Sequence, residues 1–126
     1  MKQVVLDAGA LIGLERGTAS VRGYVLLADR GLVTLSTSSA VIAQVFRGGP
    51  RQTRLARLLS SDLVTELALG PDAARRIGIS AVAAASRDVV DGHVAMLALE
   101  LNAIVLTSDP TDIARWGVPP DRIVRC

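Results

Sequence analysis

Two short apolar runs, far apart in the chain, end the same way. They are Val4-Val5-Leu6-Asp7 near the start and Ile104-Val105-Leu106-Thr107-Ser108-Asp109 near the end. Neither alternates between apolar and polar residues. A half-exposed strand alternates with a period of two, so an unbroken run belongs to a strand covered on both faces, as in a parallel sheet. Parallel strands need long crossovers, usually helical, and the intervening segments carry helical spacing. The sequence predicts strands at Gln3–Leu6, Leu32–Leu35, Leu63–Leu67, Ala103–Leu106 and Ile123–Val124. It predicts helices at Ala8–Glu15, Ser20–Arg30, Ala40–Arg47, Arg51–Leu59, Pro71–Ala85, Arg87–Leu101 and Pro110–Trp116. Gly17, Gly31 and Gly48-Gly49-Pro50 are the stops, and Ser38 or Ser39 can cap the third helix. The expected fold class is α/β: one domain over residues 1–126, a central parallel sheet of four to five strands, and helices on both faces. Ligands of such sheets bind beyond the carboxyl ends of the strands, where the strand order reverses. Asp7 and Asp109 stand at two such ends.

Composition removes most competing chemistries. The chain has one cysteine, Cys126, and one histidine, His93, which excludes an intramolecular disulfide framework and any centre built on several thiolates or imidazoles. No G-x-G-x-x-G follows the first strand, and there is neither a G-x-x-x-x-G-K-[ST] loop nor a G-x-S-x-G elbow. The only lysine is Lys2, so a phosphoacceptor receiver domain lacks its late-strand lysine. His93 lies two positions from Asp91, about 200° around a helix, and reads as a surface or structural residue. The longest uncharged stretch, Gly31–Phe46, falls short of the roughly 20 apolar residues of a membrane span and contains five hydroxyl side chains and Gln44. Asp7 interrupts what would otherwise be a signal-peptide core. The expectation is a cytoplasmic protein with no membrane partner.

The carboxylates carry the remaining chemistry. Asp7 and Asp109 each precede a helix, where aspartate is a good N-cap, and Asp112 stands where it could reach back in a capping box. Asp88 and Asp91, spaced i, i+3, share one helical face that Ala95 and Ala98 extend. Each pair alone suits a cap or a solvated first turn. Three acidic places converging in one α/β fold suit a hard cation, Mg²⁺ or Mn²⁺, because gathered carboxylates repel without one. The matching reaction is phosphodiester hydrolysis by a metal-activated water. Between Arg30 and Ser61 there is no acidic residue, yet Arg30, Arg47, Arg51, Arg54 and Arg57 lie there. Arg51 and Arg54, with Arg57 less directly, fall on one side of the expected helix. Arg47, Arg51 and Arg54 are therefore the candidate residues for binding a nucleic-acid backbone, which the resemblance given below makes RNA. An ordinary solvated face, or pairing with an acidic partner, are the other uses of such a stripe. With three aromatic residues in the chain, base stacking is not the main binding mode.

These residues resemble the PIN-domain family, in particular the VapC-type toxins of bacterial toxin–antitoxin pairs. The matching pieces are Val4–Leu11 (VVLDAGAL), Asp91–Ala98 (DGHVAMLA) and Ile104–Asp112 (IVLTSDPTD), in the family's order and spanning nearly the whole chain. The resemblance implies a Mg²⁺- or Mn²⁺-dependent endoribonuclease that leaves a 5′-phosphate and a 3′-hydroxyl. It implies neutralisation by a cognate antitoxin, a segment of which fills a groove near the active site, and a homodimer. Asp7, Asp91 and Asp109 then correspond to the catalytic, metal-binding positions. Asp112, reaching a second metal or a water, and Asp88 are auxiliary. RNA rather than DNA, and a nuclease rather than a phosphatase, rest on this resemblance.

One position departs from the family pattern. The family usually carries a glutamate in the helix after the second strand, and Gln44 aligns with it. Its amide oxygen can still ligate a cation or a bound water, but one negative charge is lost. Two outcomes follow: an active nuclease with a rearranged site in which Asp88 compensates, or a catalytically impaired PIN-fold module that binds RNA or protein. The other acidic positions favour the first.

Overall fold

Successive residues Val4 and Val5 are both fully buried, so both faces of the first strand are covered, as its unbroken apolar character requires. The computed structural model describes all 126 residues, Met1–Cys126. Its strands are β1 (Lys2–Leu6), β2 (Val33–Ser38), β3 (Val64–Leu67), β4 (Ile104–Thr107) and β5 (Ile123–Arg125). Its α-helices are α1 (Ala8–Arg16), α2 (Ala19–Asp29), α3 (Ser39–Val45), α4 (Thr53–Leu59), α5 (Pro71–Ala84), α6 (Val89–Leu101) and α7 (Pro110–Ala114). Single 3₁₀ turns at Pro50–Gln52 and Pro120–Arg122 precede α4 and β5.

All five strands are parallel, in the order β3-β2-β1-β4-β5. The chain works outward from β1 to β3, then returns to lay β4 on the other side of β1. The order therefore reverses between β1 and β4, the switch point beyond whose carboxyl ends ligands of such sheets bind. Leu6 lies opposite Thr37 in β2 and Leu106 in β4, so the ends of the three central strands are level. The α/β class, the parallel sheet and its five strands are as the sequence predicts.

The core is a cluster of 25 buried apolar residues that joins the strands to α1, α4 and α6. Helix α6 packs on β1, β2 and β4, and α1 on β1 and β4. Val94, Ala95 and Ala98 of α6 are fully buried, their small size bringing that helix close to the sheet. Removing a buried leucine such as Leu6, Leu35 or Leu106 costs about 3–5 kcal/mol.

Three boundaries differ from expectation for identifiable reasons. Strand β2 does not stop at Leu35 but runs to Ser38. Its polar end is buried because each hydroxyl is partnered: Thr37 Oγ1 donates to the Leu6 carbonyl at 2.7 Å, and Ser38 Oγ pairs with His93 Nδ1 at 2.6 Å. The expected helix over Arg51–Leu59 opens as a 3₁₀ turn that sends Gln52 inward, so Arg51 is not on the helical face of Arg54. Buried Gln52 accepts from the Arg47 and Gly48 amides and donates to the Val45 carbonyl and Glu15. Helix α6 starts at Val89, with Asp88 outside it as the N-cap.

Candidate metal centre

Asp7 is the residue from which the site is built. It follows the last residue of β1 and stands at the N-cap of α1, but its side chain makes no capping hydrogen bond. The carboxylate turns toward β4 instead, where Oδ2 accepts from Thr107 Oγ1 at 2.6 Å. Asp7 is 3% exposed. A charged group so buried is costly unless something compensates it. Burial pushes its pKa up, the Thr107 hydrogen bond opposes that rise, and the charges of Asp109 and Asp88 add to it.

Asp109 follows β4 and likewise occupies an N-cap position, that of α7, without using its side chain there. Its backbone N–H donates to Thr107 Oγ1 at 3.0 Å. Asp112 lies in the first turn of α7, exposed, and makes no capping-box bond. The capping roles open to Asp7, Asp109 and Asp112 are thus not taken up by their side chains.

Asp88 is the exception. Its Oδ1 accepts from the Val90 and Asp91 amides at 3.1 Å each, so it caps α6 rather than sharing a helical face with Asp91. The physical reason is the broken backbone before the helix, where Ser86 Oγ accepts from the Asp88 amide. Asp91 points from the first turn of α6 into the same acidic region. Its pKa is pushed up to about 7, first by burial, then by the charges of Asp88, Asp7 and Asp112. The electrostatic coupling of Asp7 with Asp109, and of Asp91 with Asp7, Asp88 and Asp112, places the separate sequence segments in one field.

Close packing sets this convergence. A Cβ on Gly9 would stand 2.7 Å from Ser108 Cβ and 2.8 Å from the Ser108 backbone nitrogen. A Cβ on Gly92, next to Asp91, would strike the Trp116 ring at 2.9 Å and Ile77 at 2.8 Å. Glycine at both places lets α1 approach the β4–α7 loop and α6 approach the segment after α7. Sequence reading missed Thr107 and Gly9, although both lie inside the matched motifs.

The donor set is all oxygen, mutually repelling and partly desolvated, which fits a hard divalent cation and no soft one. No three His, Cys, Asp or Glu side chains are grouped closely enough in this structure to hold an ion. The carboxylates thus share a region and a field, not a closed coordination shell.

The remaining candidates make no hydrogen bond or ion pair to these carboxylates. Gln44 is exposed on α3, and its side chain makes no hydrogen bond within the protein. Arg47 wraps back on the C-terminal end of α3, donating to the carbonyls of Ala43, Gln44 and Phe46 at 3.0 Å, so its guanidinium is engaged as a helix cap. Arg54 lies against Gly17, at the opposite end of α1 from Asp7, about 15 Å along the helix. With Arg22 and Arg57 it rims an apolar depression of about 380 Å³ floored by Leu14, Val25, Leu26, Leu58 and Leu63. Arg51 is exposed in the 3₁₀ turn. The three arginines therefore do not form one stripe. His93 is 1% exposed, its pKa lowered by burial, and tied to Ser38; it is structural and not on the surface.

No helix is long and apolar enough to cross a membrane. No family model matches the chain, and no curated protein does. Among solved structures, the chain matches one chain of the crystal structure of VapBC2 from Rickettsia felis bound to a DNA fragment from its promoter. The TM-score is 0.71, the identity 17%, and the match covers 98% of each chain. The likeness is one of fold.

Proposed function

We propose that this chain is a PIN-type, VapC-like endoribonuclease that depends on Mg²⁺ or Mn²⁺. The observation that carries the reading is Asp7: a carboxylate 3% exposed, at the switch point between β1 and β4, not used as a cap, within the field of further carboxylates. Asp7, Asp91 and Asp109 would hold the cation, and Asp88 and Asp112 would add negative charge around it. When bound, the cation supplies polarisation of a phosphoryl group and activation of water.

The chain's own residues do the rest. Asp91, which burial first and then the charges of Asp88, Asp7 and Asp112 push up to about 7, would release its proton on ligating a cation. Asp7 is shielded from bulk water, so its charge acts through a medium of lowered dielectric. Exposed Arg51 would offer a phosphate contact. The Arg22–Arg54–Arg57 depression suits an amphipathic protein segment bearing acidic residues, and an antitoxin is the partner class this reading supplies. The VapBC2 fold match supports that assignment.

The test is cleavage of single-stranded RNA with Mn²⁺ by the purified chain, set against Asp7→Ala and Asp109→Ala. Loss of cleavage in both, with an unchanged far-ultraviolet spectrum, is the expected result. Undiminished cleavage by Asp7→Ala removes the assignment. A second reading, a non-catalytic module on the same fold, is favoured by neutral, exposed Gln44 and by the open spacing of the carboxylates. It predicts no saturable Mn²⁺ binding.

A further inference from the structure

We infer that Thr107 is a positioning residue that sets the orientation of Asp7 and the entry of Asp109 into the same site. The inference rests on the function proposed above. Thr107 is fully buried at the end of β4, and one hydroxyl serves both acidic segments. Its Oγ1 accepts from the Asp109 amide at 3.0 Å, and it donates its single proton to Asp7 Oδ2 at 2.6 Å. With the Asp109 amide taking one lone pair, the single hydroxyl proton is free for Asp7 Oδ2, which accepts it when Asp7 is ionised.

Oδ2 is thereby held toward β4, and Oδ1, which takes no side-chain hydrogen bond, is the oxygen more open to an external cation. An ionised carboxylate accepting a short hydroxyl bond is held more firmly than one solvated by water. The backbone of Thr107 is fixed in turn. Its carbonyl accepts from the Cys126 amide at 3.0 Å, and the preceding Leu106 carbonyl accepts from the Asp7 amide at 3.0 Å. Both ends of the Asp7–Thr107 contact are therefore anchored to strand ends. Second-layer partners of this kind change metal affinity by about 10–100-fold when lost.

A hydroxyl that merely satisfied the Asp109 amide would be a structural detail. Thr107→Val keeps the branched shape and removes the donor; Thr107→Ser keeps the donor and removes the methyl. Mn²⁺ alone is the probe, titrated calorimetrically into each form, and metal-free crystal structures report the Asp7 carboxylate. The expected result is Mn²⁺ affinity at least 10-fold weaker in the Val form, near wild type in the Ser form, and Asp7 rotated off β4 only in the Val form. Equal Mn²⁺ affinity in the Val and wild-type forms, or an unmoved Asp7 carboxylate in the Val form, overturns the inference. Should Thr107→Val lose its cooperative melt, Ser against Thr107→Cys carries the same comparison, since a thiol of similar size is a weak donor. If wild type takes up no Mn²⁺, the metal-centre reading fails, while the Asp7 orientation still decides the role of Thr107.

Discussion

Gly9 packs directly on Ser108: the position a Cβ would occupy on Gly9 lies 2.8 Å from the Ser108 backbone nitrogen. Through this contact the first turn of α1 seats against the loop that carries Asp109. Gly9→Ala must push one of these backbone segments away, since the blocking atom is not the tip of a flexible side chain. The expected cost is about 1–3 kcal/mol, with a loss of Mn²⁺-dependent cleavage beyond what lowered stability explains. Gly23→Ala is the control. A Cβ there meets nothing within 4 Å, and α2 should gain about 1 kcal/mol. Thermal melts of both variants check this.

Asp7→Asn separates charge from shape. The amide oxygen can still accept from Thr107, so the fold should persist, and the metal-free protein should melt no lower than wild type. Cleavage should fall on the order of 100-fold or more, because the loss is one of charge at the site of cation binding. Parallel melts and single-turnover RNA cleavage measure the two effects.

The elevated pKa of Asp91 gives a pH signature with a definite sign. Its folded value is about 7, against 3.8 for the ordinary carboxyl. Between these values the folded protein holds a proton that the unfolded chain has released, so metal-free stability falls as pH rises from about 4 to 7 and levels off above. Asp91→Asn should remove that fall, a gain on the order of 1–3 kcal/mol at neutral pH for this half-buried group. Mn²⁺ affinity of the wild type should rise with pH up to about 7 and then flatten, because the cation competes with the proton. Urea melts from pH 4 to 8, with and without Mn²⁺, test both trends.

Gln44→Glu restores a negative charge on α3 next to the carbonyls that Arg47 caps. The expected outcome is tighter Mn²⁺ binding, with wild type already cleaving RNA. Cleavage or Mn²⁺ uptake confined to the Glu form would mean that the native chain is not a nuclease.

Ala85 ends α5 in the left-handed region, at φ 50, where its amide bonds back to the Ala81 and Val82 carbonyls. Glycine has no Cβ penalty there, so Ala85→Gly should stabilise the protein by about 0.5–1 kcal/mol and leave cleavage unchanged. A melting curve decides it.

The chain by itself determined the α/β class and the approximate limits of β1, β4 and most helices, because burial and backbone period are local properties written in side-chain order. It also put Asp7 and Asp109 at strand ends, since each directly follows an unbroken apolar run. Tertiary structure decided what those side chains do. Asp7 and Thr107 lie 100 positions apart, and their contact exists only because β4 returns beside β1. The same holds for the hydroxyls of Thr37 and Ser38, which prolong β2 because the Leu6 carbonyl and the His93 ring partner them from other elements. The contacts of Asp88 and Arg47 were hidden from the sequence for a related reason. Helical spacing gives Asp88 a face shared with Asp91, and Arg47 simply stands in an acid-free segment, whereas the actual helix ends supply unpaired amides and carbonyls that engage both side chains.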